Sequence, residues 1–123
     1  MTENSGEGLE FKIAGMIVAS ENTERAEANA ERLAALFGFS RVSDDNFAVV
    51  DNIIKFAKAK QYGRAGSFIV ETDFLERAVD YLKERGIEFI DESARYDANG
   101  ELSMIYLDFL IGGFAIRLEQ KIK

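Results

Sequence analysis

The chain of 123 residues contains no cysteine and no histidine. Without cysteine there is no disulfide, no thiolate metal ligand and no cysteine nucleophile. Without histidine, every mechanism or metal site that needs an imidazole is excluded. No run of ~18 uninterrupted apolar residues occurs, so the sequence predicts no transmembrane helix.

The chain also has fewer basic than acidic residues, with 15 Lys and Arg against 22 Asp and Glu, and its net charge is −7. A nucleic-acid interface needs a basic face, so this balance argues against nucleic acid as a partner. Hydrophobic residues make up 47% and charged residues 30% of the chain, which is typical of a globular protein rather than a disordered one.

The start of the chain is polar and acidic, and it lacks the basic and apolar regions of a signal peptide. We therefore expect a loose N-terminus over residues 1–10 and a cytoplasmic protein with no membrane partner. The remaining length, residues 11–123, fits a single domain that can bury a core of its own.

An internal repeat is the most informative feature of the sequence. The segment that starts at Gly15 recurs 52 positions later at Ser67, and both copies carry Ile-Val followed by Glu-Arg-Ala. Each copy is an apolar run, a Ser or Thr, an acidic residue and then a helical period. The repeat predicts two modules, at about residues 11–60 and 65–120.

Each module is predicted to have the element order βαβββ. In the first module, Ser20 is the expected N-cap of a helix that ends at Gly38, and its buried stripe is predicted at Ala26, Ala30, Leu33 and Phe37. The predicted strands of this module are Phe11–Ala19, Phe39–Val42, Phe47–Val50 and Ile53–Ala59.

The second module is predicted in the same way. Thr72 or Asp73 is the expected helix cap, and Gly86 the expected helix end. A hairpin is predicted around the Asn99-Gly100 turn. The predicted strand segments are Gly66–Glu71, Ile87–Asp91, Ala94–Tyr96, Leu102–Leu107 and Phe114–Gln120, and the predicted helix stripe is Leu75, Ala78, Val79 and Leu82.

Two tandem βαβββ modules, with Leu36-Phe37-Gly38-Phe39 at the end of the first helix, resemble the vicinal oxygen chelate superfamily. This is the fold of glyoxalase I, bleomycin-resistance proteins and extradiol dioxygenases. The resemblance implies an α+β fold in which the modules form a cupped mixed β-sheet. The run Ile111–Leu118 and the Glu76-Arg77-Ala78 helix are also similar to the glyoxalase-like domain fused to some sugar-acid aldolases.

In metal-dependent members, the resemblance implies that each module supplies one ligand from its first strand and one from its last. On this sequence those positions fall at Gly15, Lys55, Ser67 and Arg117. None of these is a usual metal ligand, so we expect no metal cofactor there. Glu71 and Glu119 are alternative donors, which would suit Mg²⁺ or Ca²⁺ better than Ni, Zn or Fe.

Strand alternation separates the two faces of the predicted sheet. One face is expected to pack on the helices through Met16, Val18, Ile54, Phe56, Phe68, Val70, Phe114, Ile116 and Leu118. The opposite face is expected to line a groove through Ile13, Gly15, Ile17, Ile53, Lys55, Ala57, Ser67, Ile69, Ala115 and Arg117.

Lys55 and Arg117 are cations where relatives are implied to place metal-binding carboxylates. An arginine fork matches a carboxylate or phosphate with two hydrogen bonds, and a lysine adds a point charge. We therefore expect the groove to bind a small organic anion, with these cations replacing the charge of the metal. Gly15 would leave room for the ligand, and Ser67 would donate a hydrogen bond to it.

A structural interpretation of both cations stays open. Arg117 can pair with a glutamate, while Lys55 can lie on an edge strand or in one basic stretch with Lys58 and Lys60. Weaker signals are the four tyrosines as proton donors and Gly63-Arg64-Ala65-Gly66, which no helix start follows and which is therefore not predicted to be a phosphate loop.

Three functions are compatible with the sequence, and none identifies a catalytic residue. The first is a metal-independent binding protein for a small anionic metabolite. The second is a metal-dependent glyoxalase-type lyase or isomerase that uses Glu71 and Glu119. The third is a structural or regulatory module that acts with a partner enzyme. The resemblance also makes a homodimer the expected assembly.

Overall fold

A computed structural model describes residues 8–122 of the chain. It contains the predicted order βαβββ twice. The first set of elements is β1 (Lys12–Val18), α1 (Thr23–Phe37), β2 (Arg41–Ser43), β3 (Phe47–Val50) and β4 (Ile54–Ala57). The second set is β5 (Gly66–Thr72), α2 (Leu75–Glu84), β6 (Phe89–Tyr96), β7 (Leu102–Ile111) and β8 (Phe114–Gln120).

The strands follow one another across the sheet in the order β2-β3-β4-β1-β5-β8-β7-β6. β1 and β4 are parallel, with Ile17 opposite Lys55. The pairs β2–β3, β3–β4 and β6–β7 are antiparallel. The predicted α+β fold with a mixed sheet is thus confirmed.

Contacts divide the described residues into two compact units. The α1 unit comprises Gly15–Phe68 and Ile111–Phe114. The α2 unit comprises residues 8–14, Ile69–Leu110 and residues 115–122. Each unit is described by itself below.

In the α1 unit, the helix is capped by groups close to it in sequence. Asn22, and not Ser20, is the N-cap, and its side chain accepts a hydrogen bond of 2.8 Å from the backbone N–H of Arg25. The side chain of an N-cap accepts from the backbone N–H three residues later, in the first turn of the helix. Ser20 lies two residues before the cap position and cannot take this role. Gly38 ends the helix at φ 73°, as predicted.

Small residues form the buried stripe of α1. Ala26, Ala30 and Ala34 are buried and pack with Ala48, Val50 and Phe56. Phe56, with Val18 and Ile54 that pack against this cluster, belongs to the predicted helix-facing set. The prediction was wrong for Phe37, whose side chain is 65% exposed and stacks on Phe39 beyond the helix end.

Polar side chains also join α1 to its strands. The carboxylate of Glu27 accepts from Arg41 at 2.5 Å, from Lys58 at 2.8 Å and from the hydroxyl of Ser43 at 2.9 Å. Arg41 and Ser43 lie on β2, and Lys58 follows β4, so one carboxylate connects the helix with two strand segments.

In the α2 unit, the core is made of larger side chains. Leu75, Ala78 and Val79 of α2 pack with residues of three strands and of the chain start: Leu9, Phe89, Ile105, Leu107 and Leu118. Val70 and Ile116 pack against this core from the predicted helix-facing side of β5 and β8.

The start of α2 has no local cap. The N-cap residue is Phe74, and the backbone N–H of Leu75 donates at 2.9 Å to the side chain of Gln120 on β8. The predicted caps, Thr72 and Asp73, do not serve this helix start, although the hydroxyl of Thr72 accepts from the N–H of Phe74. A distant glutamine supplies the acceptor instead.

One predicted strand division was wrong. The two predicted segments Ile87–Asp91 and Ala94–Tyr96 are joined in the single strand β6, which begins at Phe89 and carries an irregularity between Ile90 and Arg95. The hydroxyl of Ser93 fills this irregularity, donating to the carbonyl of Ile90 and accepting from the N–H of Tyr106. Two hydrogen bonds therefore bridge the gap between the two predicted segments.

The predicted loose N-terminus falls mainly on residues 1–7, which lie outside the described residues. Within the described part, Leu9 is 3% exposed, and its carbonyl accepts hydrogen bonds from Thr72 and Asp73. The prediction of a loose chain therefore fails at this residue. Neither described helix has the length and apolar character needed to cross a membrane.

Candidate functional site

Arg117 is a half-buried cation on β8, in the α2 unit. Its Nε donates to Glu119 Oε2 at 2.6 Å, and its Nη1 donates to the hydroxyl of Tyr106 at 3.5 Å. Only 19% of the Arg117 side chain is exposed. Strand alternation places residues 117 and 119 on one face, so this pair follows directly from the sequence spacing.

The charge of Arg117 is secured by these neighbours. Burial of the guanidinium by itself would lower the pKa of Arg117. The hydrogen bond to Tyr106 and the negative charge of Glu119 outweigh that effect and raise the pKa above its ordinary value. The guanidinium is therefore a permanent donor.

Part of the guanidinium fork remains unused. Of its five N–H donors, Nε–H bonds to Glu119 and one Nη1–H bonds to Tyr106. Within the described chain, neither N–H of Nη2 has a hydrogen-bond partner. The Nη2 group, held by a largely buried stem, can donate to an oxygen of a carboxylate or phosphate.

Lys55 lies on β4, in the α1 unit. This strand lies between β3 and β1, so the edge-strand interpretation was wrong. Lys58 points toward α1 and pairs with Glu27, whereas Lys55 places its Nζ 5.6 Å from the centre of the Phe47 ring. Among the described residues, Lys55 has no salt bridge, so it is a cation separate from the paired Lys58.

Gly15 and Ser67, also in the α1 unit, have structural explanations. A Cβ on Gly15 would stand 2.5 Å from the carbonyl oxygen of Ile53, so the space beside this glycine is filled by backbone and not left for a ligand. Ser67 is fully buried, and its hydroxyl donates to the carbonyl of Tyr62 at 3.3 Å. Both residues are explained by packing and hydrogen bonding within their own unit.

The alternative metal donors do not form a site. Glu119 is bound to Arg117, and Glu71 lies half-buried on β5. Over residues 8–122, no group of three or more Asp, Glu, His or Cys side chains is placed to hold a metal ion. The donor set therefore does not fit the divalent metal that the superfamily resemblance implies.

A cavity that the sequence analysis did not predict lies in the α1 unit. Its volume is about 480 Å³. It is lined by Ala19, Ser20, Glu21, Ala59, Lys60, Gln61, Gly63 and Arg64. These residues belong to two segments, one that follows β1 and one that connects β4 to β5.

Comparisons with known proteins identify the fold. No family model and no curated protein sequence matches the chain. Among solved structures, a hypothetical protein from Bacillus halodurans C-125 is similar with a TM-score of 0.66 and 12% identity, over 93% of this chain and 96% of that one.

Methylmalonyl-CoA epimerases are similar as well. The enzyme from Mycobacterium tuberculosis has a TM-score of 0.63 and 13% identity, over 90% of this chain and 88% of that one. A Streptomyces coelicolor epimerase, solved with 2-nitronate-propionyl-CoA, has a TM-score of 0.59 and 11% identity, over 91% and 98% of the two chains. These epimerases are members of the vicinal oxygen chelate superfamily. The present chain therefore has the fold of these epimerases, which is the fold that the resemblance implies.

Proposed function

We propose that this protein binds a small organic anion and that Arg117 is the principal contact. The observation that carries the proposal is the half-buried guanidinium whose Nη2 donors have no partner in the described chain. A charged donor with a fixed stem has little side-chain entropy to lose when it binds.

The partners of Arg117 support a binding role. Glu119 and Tyr106 accept from Nε and Nη1 of the guanidinium, and Nη2 is left for a ligand. Nη2 of Arg117 is not among the buried side-chain atoms of the described chain that lack a partner, so its N–H groups are open to solvent and can reach a ligand. The arrangement thus combines a secured charge with free hydrogen-bonding capacity.

The structural neighbours suggest which anions to test first. Neighbours were solved with methylmalonyl-CoA or with 2-nitronate-propionyl-CoA. Methylmalonyl-CoA carries a carboxylate beside a thioester, and a guanidinium fork recognises such a carboxylate. Acyl thioesters with a carboxylate, and the corresponding free dicarboxylates, are therefore the first ligand class for this chain.

Isothermal titration calorimetry with methylmalonyl-CoA and with methylmalonate tests the proposal. R117A should weaken binding by about tenfold or more, because charge-assisted hydrogen bonds are lost. R117K, which keeps the charge but not the fork, should bind at an intermediate level and guards against a folding defect. R95A is the matched control, since Arg95 is exposed and its Nη1 donates only to nearby carbonyls. Equal affinity in R117A and R95A would refute the proposal.

E119Q separates this proposal from the metal-dependent alternative. Removing the negative charge beside Arg117 should tighten anion binding, whether or not EDTA is present. If Glu119 were instead a metal donor, E119Q would abolish binding and EDTA would abolish it in the wild type. The two interpretations therefore predict opposite changes from one substitution.

The part of Lys55 in the same function remains a prediction, and K55A in the same calorimetric assay tests it.

The predicted homodimer is likewise a proposal, which light scattering at working concentration tests. A monomer with undiminished binding would remove the dimer and leave the role of Arg117 intact.

A further inference from the structure

The cavity in the α1 unit lies where two parallel strands end. Ala19 and Ser20 follow β1, and Ala59 and Lys60 follow β4. Since β1 and β4 are parallel, their carboxyl ends open at the same edge of the sheet. Ligands of α/β proteins commonly bind outside the carboxyl ends of parallel strands. The volume of about 480 Å³ is within the range of small-molecule sites.

Backbone contacts fix the segment that closes the cavity. The N–H of Ala19 donates to the carbonyl of Ala65 at 3.0 Å, and the N–H of Ala65 donates to the carbonyl of Gly113 at 3.0 Å. At Gly66, where φ is 136°, a Cβ would stand 1.9 Å from the carbonyl oxygen of Ile17. The chain therefore approaches β1 more closely than any other residue type would allow.

The charge of the cavity is positive in a protein of net charge −7. Its lining includes Lys60 and Arg64, and within the described chain neither has a salt bridge. The acidic lining residue, Glu21, is paired with Arg25 at 3.4 Å. Arg64 packs against Gly113, where a Cβ would lie 3.5 Å from its Cζ. One cation of the cavity is thus positioned by packing.

A hydroxyl without a hydrogen-bond partner in the described chain also lines the cavity, which is independent of the two cations. Ser20 lines the cavity, and its Oγ is the buried side-chain polar atom of the described chain that has no hydrogen-bond partner. Buried polar groups are nearly always paired, so an orphan is a sign of an absent partner. Asn22 caps α1, which leaves Ser20 without that role.

We propose that this cavity is a second anion site that binds the phosphate group of a small organic phosphate. Arg64 and Lys60 would neutralise the phosphate, and the Ser20 hydroxyl would donate to one of its oxygens. The start of α1, three residues after Ser20, adds the partial positive charge of a helix N-terminus. The volume leaves room for the organic part of the ligand. This proposal does not depend on Arg117.

Nuclear magnetic resonance of the ¹⁵N-labelled full chain tests the proposal. Inorganic phosphate, and then glycerol 3-phosphate, are titrated at constant ionic strength, with succinate as the carboxylate comparison. Saturable shifts are expected at the amides of residues 19–21 and 59–65. R64Q should weaken phosphate binding by about tenfold. R32Q is the matched control, because Arg32 is an exposed arginine of α1 outside the lining.

S20A supplies a readout that a structural role would not give. Removing an unpaired buried hydroxyl should keep or raise the melting temperature while it weakens phosphate binding. Unsaturable shifts, or equal phosphate affinity in R64Q and R32Q, would overturn the site. Succinate binding as tightly as phosphate at these amides would overturn the phosphate assignment. Shifts confined to the surroundings of Arg117 would assign the anion to the first proposed site alone.

Discussion

The two helices occupy the same place in the βαβββ order, yet different interactions hold them. α1 buries a stripe of alanines, is capped by Asn22 and connects to β2 and β4 through Glu27. α2 buries leucine and valine and takes the partner of its first N–H from Gln120, 45 positions away. The repeat thus specifies the order of elements, whereas the contacts are specified separately in each copy.

This difference follows from how much apolar surface each helix can bury. Alanine offers one methyl group, so a stripe of three alanines contributes little hydrophobic stabilisation compared with a stripe that contains leucine and valine. α1 therefore depends more on its cap and on polar bridges to the strands. α2 depends on its core, and its start is fixed from a distant strand.

The largest effect should come from the core of α2. L75A removes a side chain that is 1% exposed, and it should lower the free energy of unfolding by about 3 kcal/mol because a cavity remains. Urea unfolding at neutral pH measures the loss. L36A is the matched control on α1, because Leu36 is 69% exposed and its removal should cost less than about 0.5 kcal/mol. Similar losses in both variants would refute the contrast between the helices.

The long-range cap of α2 comes next. Q120A leaves the N–H of Leu75 without its acceptor, which should cost about 1.5 kcal/mol, the penalty of an unpaired, partly buried donor. Urea unfolding gives the free energy, and hydrogen exchange locates the change. The Leu75 amide should exchange faster in Q120A, while amides of α1 keep their protection. Unchanged exchange at Leu75 would show that the glutamine does not hold this helix start.

The two caps also show what the sequence could and could not predict. The cap of α1 was expected at Ser20 and lies at Asn22, so a local signal was present and was misplaced by two residues. The cap of α2 could not be found, since Gln120 becomes a partner only when β8 lies beside the start of that helix. A prediction from neighbouring residues can find a cap that lies next to its helix, but not a cap that comes from a distant strand.

The two candidate sites also contain some contacts that the sequence could predict and others that it could not. The pair Arg117–Glu119 was open to prediction because alternate residues of a strand share a face. The contribution of Tyr106 was not, because it depends on a contact between residues 11 positions apart. For the cavity, Gly63 and Arg64 were noticed but rejected because no helix follows them. The nearby helix start comes from the segment after β1, which spacing along the chain does not show.

The local cap of α1 should have a smaller effect than the core of α2. N22A removes the acceptor for the N–H of Arg25 and should cost about 1 kcal/mol in urea unfolding. N22D, which keeps the acceptor, should unfold at nearly the wild-type urea concentration. S20A is the control that distinguishes the two assignments of the cap. A loss in S20A equal to that in N22A would restore Ser20 as the cap.

The smallest effect at neutral pH should come from Glu27, whose ion pairs are partly exposed. The hydrogen bond from Lys58, with those from Arg41 and Ser43, lowers the pKa of Glu27 from 4.5 to about 2. A carboxyl whose pKa is lower in the folded state stabilises the fold above its unfolded pKa. This stabilisation is complete above about pH 4.5 and is lost as the pH falls toward about 2.

E27Q should remove that pH-dependent part of the stability of the α1 unit. Urea unfolding at pH 7, 5, 4, 3 and 2 is expected to show a constant difference between wild type and E27Q at pH 5 and above, which shrinks at lower pH. E31Q is the matched control, because Glu31 is exposed on the same helix and has no salt bridge in the described chain. A wild-type advantage over E27Q that persisted unchanged at pH 2 would mean that shape, and not the charge of Glu27, connects α1 to its strands. The inference that α1 depends on charged contacts where α2 depends on its apolar core would then be refuted.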